Sequence, residues 1–391
     1  MIRVFAVFVF VRLGLFALTY LNGVLPLHSS AEVEFVRDAS GARYYSVPSP
    51  RFDPLGRFDS RGYLIIAFYD YDHYADQRSN TKFFPGFPWL ADGFYRLVKR
   101  FIPEAVRGTE TTRFIAASIA SNLLFAGALL FFFLWVRKHH GESVAVKAGF
   151  LMTLSPISFL LFCVLSEATF LFFAIPAFLA AERRRWFWCA VFAAACAVTR
   201  PVGAAATLAF LYMYWVERRA SGRDFGLSWL WFALVPLSLV GVFLHMAERN
   251  GDILAYFKLQ SRYLGHSFPD WSTLPEVLAL WRKEGLDLAR DLAQTGAILF
   301  IVAGTILLAR RRNASPSAKA ELVFTVVLAA VPLLSGSLIS MTRYAVTLFP
   351  VFGAVAGRMP DGKRSLLLWI PLGAMQAALF VLWMHNWPVI I

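Results

Sequence analysis

The chain has 391 residues, of which 58% are apolar, a mean hydropathy of +0.57 and a formal net charge of +13. Soluble globular domains average about half apolar residues, so this composition excludes an ordinary water-soluble protein. The apolar residues gather into runs of roughly 17 to 24 residues, the length that crosses a hydrocarbon core about 30 Å thick. Most of the excess positive charge lies between these runs rather than in one patch, which excludes nucleic acid as the partner.

The apolar runs predict an all-α integral membrane protein with about eleven transmembrane helices. The first run is longer than the apolar core of a signal peptide, and no small-residue cleavage site follows it. We therefore expect it to be the first membrane helix. The predicted spans are 2–25, 113–136, 147–164, 167–181, 186–199, 202–216, 227–247, 294–309, 320–339, 343–357 and 365–385.

Basic residues cluster in alternate loops between the predicted spans. Short cytoplasmic loops accumulate Lys and Arg, so we expect these loops to face the cytoplasm and the others to face outward. Two outward loops are long, at 26–112 and 248–293, and apolar stretches in the first predict interfacial helices. We expect one polytopic membrane domain over residues 1–391. The basic clusters are Arg137-Lys138, Arg183-Arg184-Arg185, Arg218-Arg219 with Arg223, Arg310-Arg311-Arg312 with Lys319, and Arg358 with Lys363-Arg364.

Two arginines lie at predicted outward helix ends, where arginine is rare. Arg200 lies in the gap between the spans at 186–199 and 202–216, and Arg343 lies at the start of the span at 343–357. A guanidinium stays charged at any relevant pH and forms paired hydrogen bonds to a phosphate. We expect both arginines to hold an anionic lipid headgroup. The alternative for each alone is an arginine that reaches lipid headgroups without a specific role.

Glu167 is the sole acid in the short turn between two apolar runs. A carboxylate at a membrane boundary normally has a partner, and Arg200 is a plausible one. Glu167 is therefore a candidate for substrate binding. An ion pair that fixes helix packing, or a cap on the following helix, explains the residue equally well.

Asp59 directly precedes an amphipathic run, so we expect it at the N-terminal end of a helix near the membrane surface. Transfer of a sugar to a hydroxyl needs a base to take the acceptor proton, and a partly buried aspartate suits this role. The alternative is that Asp59 only caps that helix. Arg61, two residues later, and Tyr344, next to Arg343, are further candidates for binding the donor phosphate or sugar.

Other acids lie near Asp59, but we assign no metal to them. Asp53, Asp70, Asp72 and Asp76 are loosely spaced, and such loop acids are more often solvated than bound to a divalent ion. The three cysteines fall inside apolar runs and predict no disulfide framework. No glycine-rich nucleotide-binding motif is present, so we predict no nucleotide-linked donor. We assign no cofactor, although a divalent metal is possible.

Several sequence blocks occur in a recognisable order. They are Phe58-Asp59-Ser60 with Leu64-Ile65-Ile66-Ala67, Phe83-Phe84-Pro85-Gly86-Phe87-Pro88, Ser121-Asn122, Ser155-Pro156-Ile157-Ser158 with Ser166-Glu167, Thr199-Arg200-Pro201-Val202-Gly203, Arg343-Tyr344 and Phe349-Pro350. This pattern resembles the GPI mannosyltransferase 2 (PIG-V type) family of membrane glycosyltransferases with the GT-C fold. Two departures are Phe58, where the family usually has Trp, and the segment 68–72, which differs from the family's glycine-containing continuation.

The resemblance implies an inverting transfer of a hexose, typically mannose, from a polyprenyl or dolichyl phosphate to an acceptor hydroxyl on the non-cytoplasmic side. It implies Asp59 as the general base and Arg200 or Arg343 as the group that holds the phosphate leaving group. The implied partners are a lipid-linked sugar donor, a glycolipid or glycan acceptor and membrane lipid. We expect a bacterial member in the inner membrane, whereas eukaryotic members of the family work in the endoplasmic reticulum.

Two other functions fit some of the same features. A transporter or flippase for lipid-linked sugars also has many helices and interfacial arginines, but it predicts paired repeats with helices broken at mid-membrane. A sugar-polymer ligase shares the many-helix architecture but uses a pyrophosphate-linked donor. The odd number of predicted helices, and charged residues at the outer edge rather than at mid-membrane, favour the glycosyltransferase.

Overall fold

The computed structural model describes residues 1–24, 53–71, 80–222, 226–262, 275, 285–311, 315–334 and 340–385. All regular structure in these ranges is helical, which confirms the predicted all-α class. The α-helices are α1 (Ile2–Val24), α2 (Ser60–Tyr69), α3 (Gly86–Val98), α4 (Glu110–Leu154), α5 (Glu167–Glu182), α6 (Trp186–Thr199), α7 (Val202–Ala220), α8 (Leu234–Asn250), α9 (Ala255–Arg262), α10 (Gly285–Ala309), α11 (Pro316–Leu333), α12 (Met341–Thr347), α13 (Phe349–Ala356) and α14 (Leu366–Met384).

Six helical stretches among these residues are long and apolar enough to cross a membrane. They are Ile2–Leu21, Glu110–Leu154, Leu227–Asn250, Arg290–Ala309, Pro316–Leu333 and Leu367–Met384. The chain is therefore a multi-pass membrane protein. The predicted count of about eleven spans is not confirmed, because the other predicted spans fall on shorter or less apolar helices.

The single long helix α4 contains the predicted span at 113–136 and the first part of the predicted span at 147–164. Gly141 has non-helical backbone angles (φ 83°, ψ 173°), which divide α4 into an arm before Gly141 and a shorter arm after it. A positive φ of this size is accessible to glycine without steric cost. The loop predicted between the spans at 113–136 and 147–164 is thus reduced to a kink.

The prediction of a helix over 147–164 was wrong beyond Leu154, where α4 ends. Ser155 has φ −53° and ψ 142°, because the ring of Pro156 disfavours the helical conformation in the preceding residue. Residues 155–166 form an irregular segment that is largely buried and contains only one short 3₁₀-helix. We call this segment the buried loop.

Side chains of α4 satisfy backbone groups of the buried loop. Ser121 Oγ donates a hydrogen bond to the carbonyl oxygen of Cys163 at 2.9 Å, and Asn122 Nδ2 donates to that of Phe162 at 3.2 Å. Irregular backbone at membrane depth requires such partners, because an unpaired carbonyl there is costly. Ser121-Asn122, one of the family-like blocks, therefore supports the loop that leads into α5.

The predicted span at 343–357 is also interrupted. It corresponds to the short helices α12 and α13, which meet at Leu348 (φ −82°, ψ 64°). Pro350 lies in the first turn of α13, where its missing N–H removes no helical hydrogen bond. Arg343 consequently lies in a separate seven-residue helix and not at the start of a long span.

Much of the two predicted outward loops lies outside the described residues. In the first loop, α2 and α3 cover the two apolar stretches that predict helices. Tyr63 to Ala67 of α2 are buried, whereas α3 has one buried and one exposed face. In the second loop, α9 follows directly on α8. Asp72 and Asp76 fall outside the described residues.

Aromatic packing in the bundle fixes the position of α5. Ring centroids of Phe210, Phe324 and Phe349 lie 5.0, 5.3 and 5.4 Å from that of Phe178 on α5, all edge-on. Edge-to-face pairs at such distances are favourable beyond their contact area. Helices α7, α11 and α13 therefore hold α5 at the centre of the bundle.

The two ends of α5 define two ends of the bundle, which we call the Glu167 end and the Glu182 end. At the Glu182 end, the carboxylate lies 2.6 Å from Lys138 Nζ and 2.7 Å from His139 Nε2, and it accepts a hydrogen bond from Ser317 Oγ at 2.7 Å. These contacts join α4, α5 and α11. The basic cluster at 183–185 lies in the turn that follows.

Candidate functional site

Four charged side chains meet at the Glu167 end. Arg200 Nη1 and Arg343 Nε both donate to Glu167 Oε1, each at 2.5 Å. Arg343 Nη1 also donates to Asp59 Oδ2. We call Asp59, Glu167, Arg200 and Arg343 the ion cluster. The structure thus brings together four sequence-predicted residues that are up to 284 positions apart.

Glu167 lies at the start of α5 and is fully buried. Its carboxylate benefits from the positive end of the helix dipole and from the two guanidinium groups. A buried charge is tolerated only when it is paired in this way. The predicted partner, Arg200, is present, but Arg343 is an equal second partner. Glu167 Oε2 accepts no hydrogen bond among the described residues.

Asp59 directly precedes α2, as predicted, but its side chain makes no capping hydrogen bond to that helix. Its Oδ2 atom pairs with Arg343, and its Oδ1 atom has no partner in the described part of the chain. The side chain is 23% exposed, whereas those of Arg343 and Glu167 are 6% and 0% exposed. The ion cluster is therefore most open to a substrate at the Asp59 carboxylate.

Arg200 occupies a tight turn between α6 and α7. Its backbone N–H donates to the carbonyl of Cys196 at 2.9 Å, and its own carbonyl accepts from the N–H of Gly203 at 2.8 Å. A Cβ atom on Gly203 would lie 2.3 Å from the carbonyl carbon and oxygen of Cys196, so only glycine permits this approach. The turn aims the Arg200 side chain at Glu167.

A second close approach supports the same turn. A Cβ atom on Gly86, at the start of α3, would lie 2.5 Å from Thr199 Oγ1 and 2.7 Å from its Cα. Helix α3 thus packs directly on the residue before Arg200. This contact gives a physical reason for glycine in the Phe83 to Pro88 block, which the sequence alone does not provide.

Arg343 and Tyr344 come from the short helix α12. The backbone N–H of Thr342 donates to Gln294 Oε1 at 3.0 Å, which anchors the start of α12 to α10. The Cζ atom of Arg200 lies 5.1 Å from the centre of the Tyr344 ring, within the range of a cation–π contact. The predicted candidate Tyr344 therefore contacts the ion cluster through Arg200.

Tyr63 is a member of the site that the sequence does not reveal. Its hydroxyl oxygen lies 2.9 Å from Ser166 Oγ, so it ties α2, one turn beyond Asp59, to the residue before Glu167. Burial raises the pKa of the Tyr63 phenol above its usual value near 10, and the hydroxyl stays protonated at neutral pH. An apolar-flanked tyrosine in a buried helix carries no signal that distinguishes it from an ordinary core residue.

The remaining candidates lie around the ion cluster or away from it. Arg61 lies in the first turn of α2 and is partly exposed. Asp53 begins a 3₁₀-helix before α2, and Asp70 follows the other end of α2. Among the described residues, no group of His, Cys, Asp and Glu side chains is arranged to hold a metal ion.

The fold has known counterparts among solved structures. It is similar to ArnT from Cupriavidus metallidurans bound to undecaprenyl phosphate, with a TM-score of 0.51 and 17% sequence identity over 96% of this chain and 63% of the ArnT chain. The chain has the GT-C fold. A further match, to the apo oligosaccharyltransferase of Archaeoglobus fulgidus, has a TM-score of 0.49 and 12% identity over 97% of this chain and 56% of that chain.

The chain spans less than two thirds of the length of either of these solved proteins. No protein-family model matches the sequence, and no curated protein matches it. The narrower resemblance to the GPI mannosyltransferase 2 family therefore stays a prediction.

Proposed function

We propose that the chain is a glycosyltransferase that moves a hexose from a polyprenyl- or dolichyl-phosphate donor to a hydroxyl of a glycolipid or glycan acceptor. The ion cluster is the observation that carries this proposal. It places two guanidinium groups, which suit a phosphate, beside a partly exposed carboxylate, which suits an acceptor hydroxyl. The resemblance to mannosyltransferases favours mannose as the hexose.

The guanidinium groups of Arg200 and Arg343 differ in the number of carboxylates that hold them, which supports different roles. Arg343 is held between two carboxylates, those of Glu167 and Asp59. Arg200 is held by Glu167 alone, and its other guanidinium nitrogens donate to no described residue. We assign Arg200 to the donor phosphate and Arg343 to the orientation of Asp59. In a poorly solvated site such fixed donors stabilise developing negative charge strongly.

The transfer step follows from these roles. Asp59 Oδ1 takes the proton of the acceptor hydroxyl while the acceptor oxygen attacks the anomeric carbon of the donor sugar. The bond from that carbon to the phosphate oxygen breaks, and its electron pair leaves with the lipid phosphate. Arg200 stabilises the charge gained by the phosphate. Attack from the face opposite the phosphate inverts the anomeric configuration, and Asp59 then returns its proton to water.

The charge pattern supports a non-cytoplasmic location for this step. The Glu182 end carries Lys138 and the basic turn at 183–185, and short basic loops face the cytoplasm. The ion cluster lies at the opposite end of α5. For a bacterial chain the proposed site is at the outer face of the inner membrane.

Substitution of the base tests the proposal. Purified protein in lipid nanodiscs receives polyprenyl-phosphate-mannose as donor and membrane glycolipid extract as acceptor, and transferred mannose is measured. We expect Asp59→Asn to lower kcat by about 10²–10⁴-fold, the usual contribution of a general base, with donor affinity retained. Asp92→Asn, the same change at a residue paired with Arg96 on the outside of α3, is the matched control and should keep its activity.

The same preparation separates the alternatives. If the unchanged protein transfers no sugar but moves labelled lipid across a vesicle bilayer, the transporter hypothesis replaces this one. Transfer from a pyrophosphate-linked donor alone would establish the ligase instead. Full activity of a folded Asp59→Asn variant would remove Asp59 from the role of base.

A further inference from the structure

A second polar cluster lies at the far end of α2 from Asp59. Asp70 accepts a hydrogen bond from His245 Nε2 on Oδ1 at 3.0 Å, and its Oδ2 lies 2.7 Å from Arg249 Nη2. The Trp89 ring lies beside His245, with 6.0 Å between ring centroids. We call these four residues the Asp70 cluster. They come from the end of α2, the start of α3 and the end of α8.

The backbone holds the Asp70 carboxylate in place at an energetic cost. Asp70 has φ 70° and ψ −170°, a region used almost only by glycine and costing about 1–3 kcal/mol for other residues. The N–H of Tyr71 donates to Asp70 Oδ1 at 2.8 Å, and Asn80 Nδ2 donates to the Asp70 carbonyl at 3.2 Å. Tyr71 is fixed in turn by its hydroxyl, which donates to the carbonyl of Phe83 at 2.8 Å. The surroundings therefore support a rigid, strained carboxylate.

The Asp70 cluster is accessible, unlike the core of the ion cluster. The side chains of Asp70 and Arg249 are 30% and 42% exposed, and Trp89 is 48% exposed. The Trp89 indole N–H makes no hydrogen bond within the described ranges. The Trp89 ring thus lies next to an imidazole, the imidazole pairs with a carboxylate, and the carboxylate pairs with a guanidinium, each of these side chains being partly exposed.

This combination fits a sugar ring. A hexose has an apolar face of C–H groups, which packs on an aromatic ring, and hydroxyls at its edge, which bind carboxylate and guanidinium groups. A few convergent polar groups beside an aromatic surface are the usual composition of a site for a small polar ligand. The cluster contains no arrangement of unpaired cations that would select a phosphate over a hydroxyl.

The length of α2 sets the distance between the two clusters. Its ten residues give a rise of about 15 Å from the Asp59 end to the Asp70 end. That distance exceeds the size of one sugar ring. A ligand bound at both clusters is therefore a chain of sugars and not a single sugar.

We propose that the Asp70 cluster binds one hexose unit of the acceptor glycan. The terminal unit of the same glycan lies at Asp59 and receives the new sugar, so the unit at the Asp70 cluster is an internal one. The proposal rests on the glycosyltransferase function above and narrows it, because it makes the acceptor an oligosaccharide. Trp89 is the stacking surface, and Asp70 with Arg249 holds the hydroxyls. The competing role for Trp89 is that of an aromatic anchor at the membrane surface.

A binding experiment without donor tests the subsite independently of transfer. The full chain in nanodiscs is titrated calorimetrically with trihexosides of mannose, glucose and galactose, each on the same short lipid, and with the matching monohexosides. We expect at least one trihexoside to bind more tightly than its monohexoside. Trp89→Ala should reduce this preference about tenfold, in line with the loss of one aromatic contact.

Trp188→Ala is the matched control, because Trp188 on α6 is 52% exposed but belongs to neither cluster. It should leave the trihexoside preference unchanged, and His245→Gln should reduce it as Trp89→Ala does. If no trihexoside is preferred, or if both tryptophan variants behave alike, the subsite is rejected even where sugar transfer occurs. If the unchanged protein prefers a trihexoside to its monohexoside but transfers no sugar, the proposed glycosyltransferase function is rejected and the glycan-binding site is kept.

Discussion

Helix α5 begins and ends with a glutamate whose side chain is buried, and the two carboxylates differ in whether both of their oxygens have partners. At one end, Glu182 uses both carboxylate oxygens, with Trp135, His139 and Ser317 at Oε1 and Lys138 at Oε2. At the other end, Glu167 uses only Oε1, which is shared by two guanidinium groups. Its Oε2 has no partner in the described parts of the chain.

We propose that this difference separates a structural role for Glu182 from a functional role for Glu167. A buried polar group without a partner is costly, so each one calls for an explanation, and a bound ligand is one such explanation. The Glu182 contacts join three helices and leave neither carboxylate oxygen without a partner. The Glu167 contacts leave the outer guanidinium nitrogens of Arg200 and one oxygen of Asp59 without partners among the described residues. We therefore place the proposed chemistry at the Glu167 end.

The largest expected effect comes from neutralising the two glutamates in turn. Glu167→Gln removes the charge that pairs two buried guanidinium groups, and we expect a loss of about 3–5 kcal/mol in unfolding free energy together with loss of sugar transfer. Glu182→Gln should cost about 1–3 kcal/mol and leave transfer largely intact, because half-exposed Lys138 can be solvated. Unfolding in detergent and transfer in nanodiscs measure both. Equal loss of transfer in the two variants would contradict the comparison.

A smaller effect is expected from glycines near the two ends. Gly203→Ala places Cβ against rigid backbone of Cys196, so the turn holding Arg200 must shift, at a cost of about 1–3 kcal/mol. Gly226→Ala, near the Glu182 end, meets only the mobile tip of Arg218 at 3.2 Å and should be tolerated. We expect donor affinity to fall in the first variant alone. A Gly203→Ala variant with unchanged donor affinity would show that the turn does not position Arg200.

The smallest expected effect distinguishes the two arginines within the Glu167 end. Lysine keeps the charge of arginine but loses its paired donors. Arg200→Lys should weaken binding of polyprenyl phosphate about tenfold, because a paired hydrogen bond is reduced to a single charge contact. Arg343→Lys should lower kcat more than donor affinity, since it disturbs Asp59. Lipid binding by calorimetry and transfer kinetics on the same samples check the split, and the reverse pattern would exchange the two roles.

The sequence predicts the members of the ion cluster better than their arrangement. Asp59, Glu167, Arg200 and Arg343 stand out because charge is rare beside apolar runs, and this signal requires no structure. The sharing of one carboxylate by both arginines depends on packing between distant helices, which no local pattern encodes. His245 lies inside a predicted apolar span, where a lone histidine gives no indication that Asp70 and Arg249 surround it.

The predicted helices show the same contrast between features that a local sequence pattern identifies and features that depend on packing between distant segments. Apolar length locates the six predicted spans that fall on long apolar helices of the described residues, because burial in lipid selects for it. It fails at the buried loop, where residues as apolar as a helix form irregular backbone. Pro156 is the local signal for that break, but the polar partners that make it possible lie on α4. Pro350 gives a similar signal at the junction of α12 and α13.

The shortness of α5 has a consequence for where the substrate meets the protein. Its 16 residues extend about 24 Å, less than the hydrocarbon thickness of about 30 Å. The arginines at 183–185 need water or headgroups, which fixes that end of α5 at one interface. The hydrophobic mismatch would then fall at Glu167, and we propose that the two paired arginines lie below the level of the surrounding headgroups. Under the proposed function, a lipid-borne phosphate would have to descend to reach them, and bilayer thickness would then be a determinant of access.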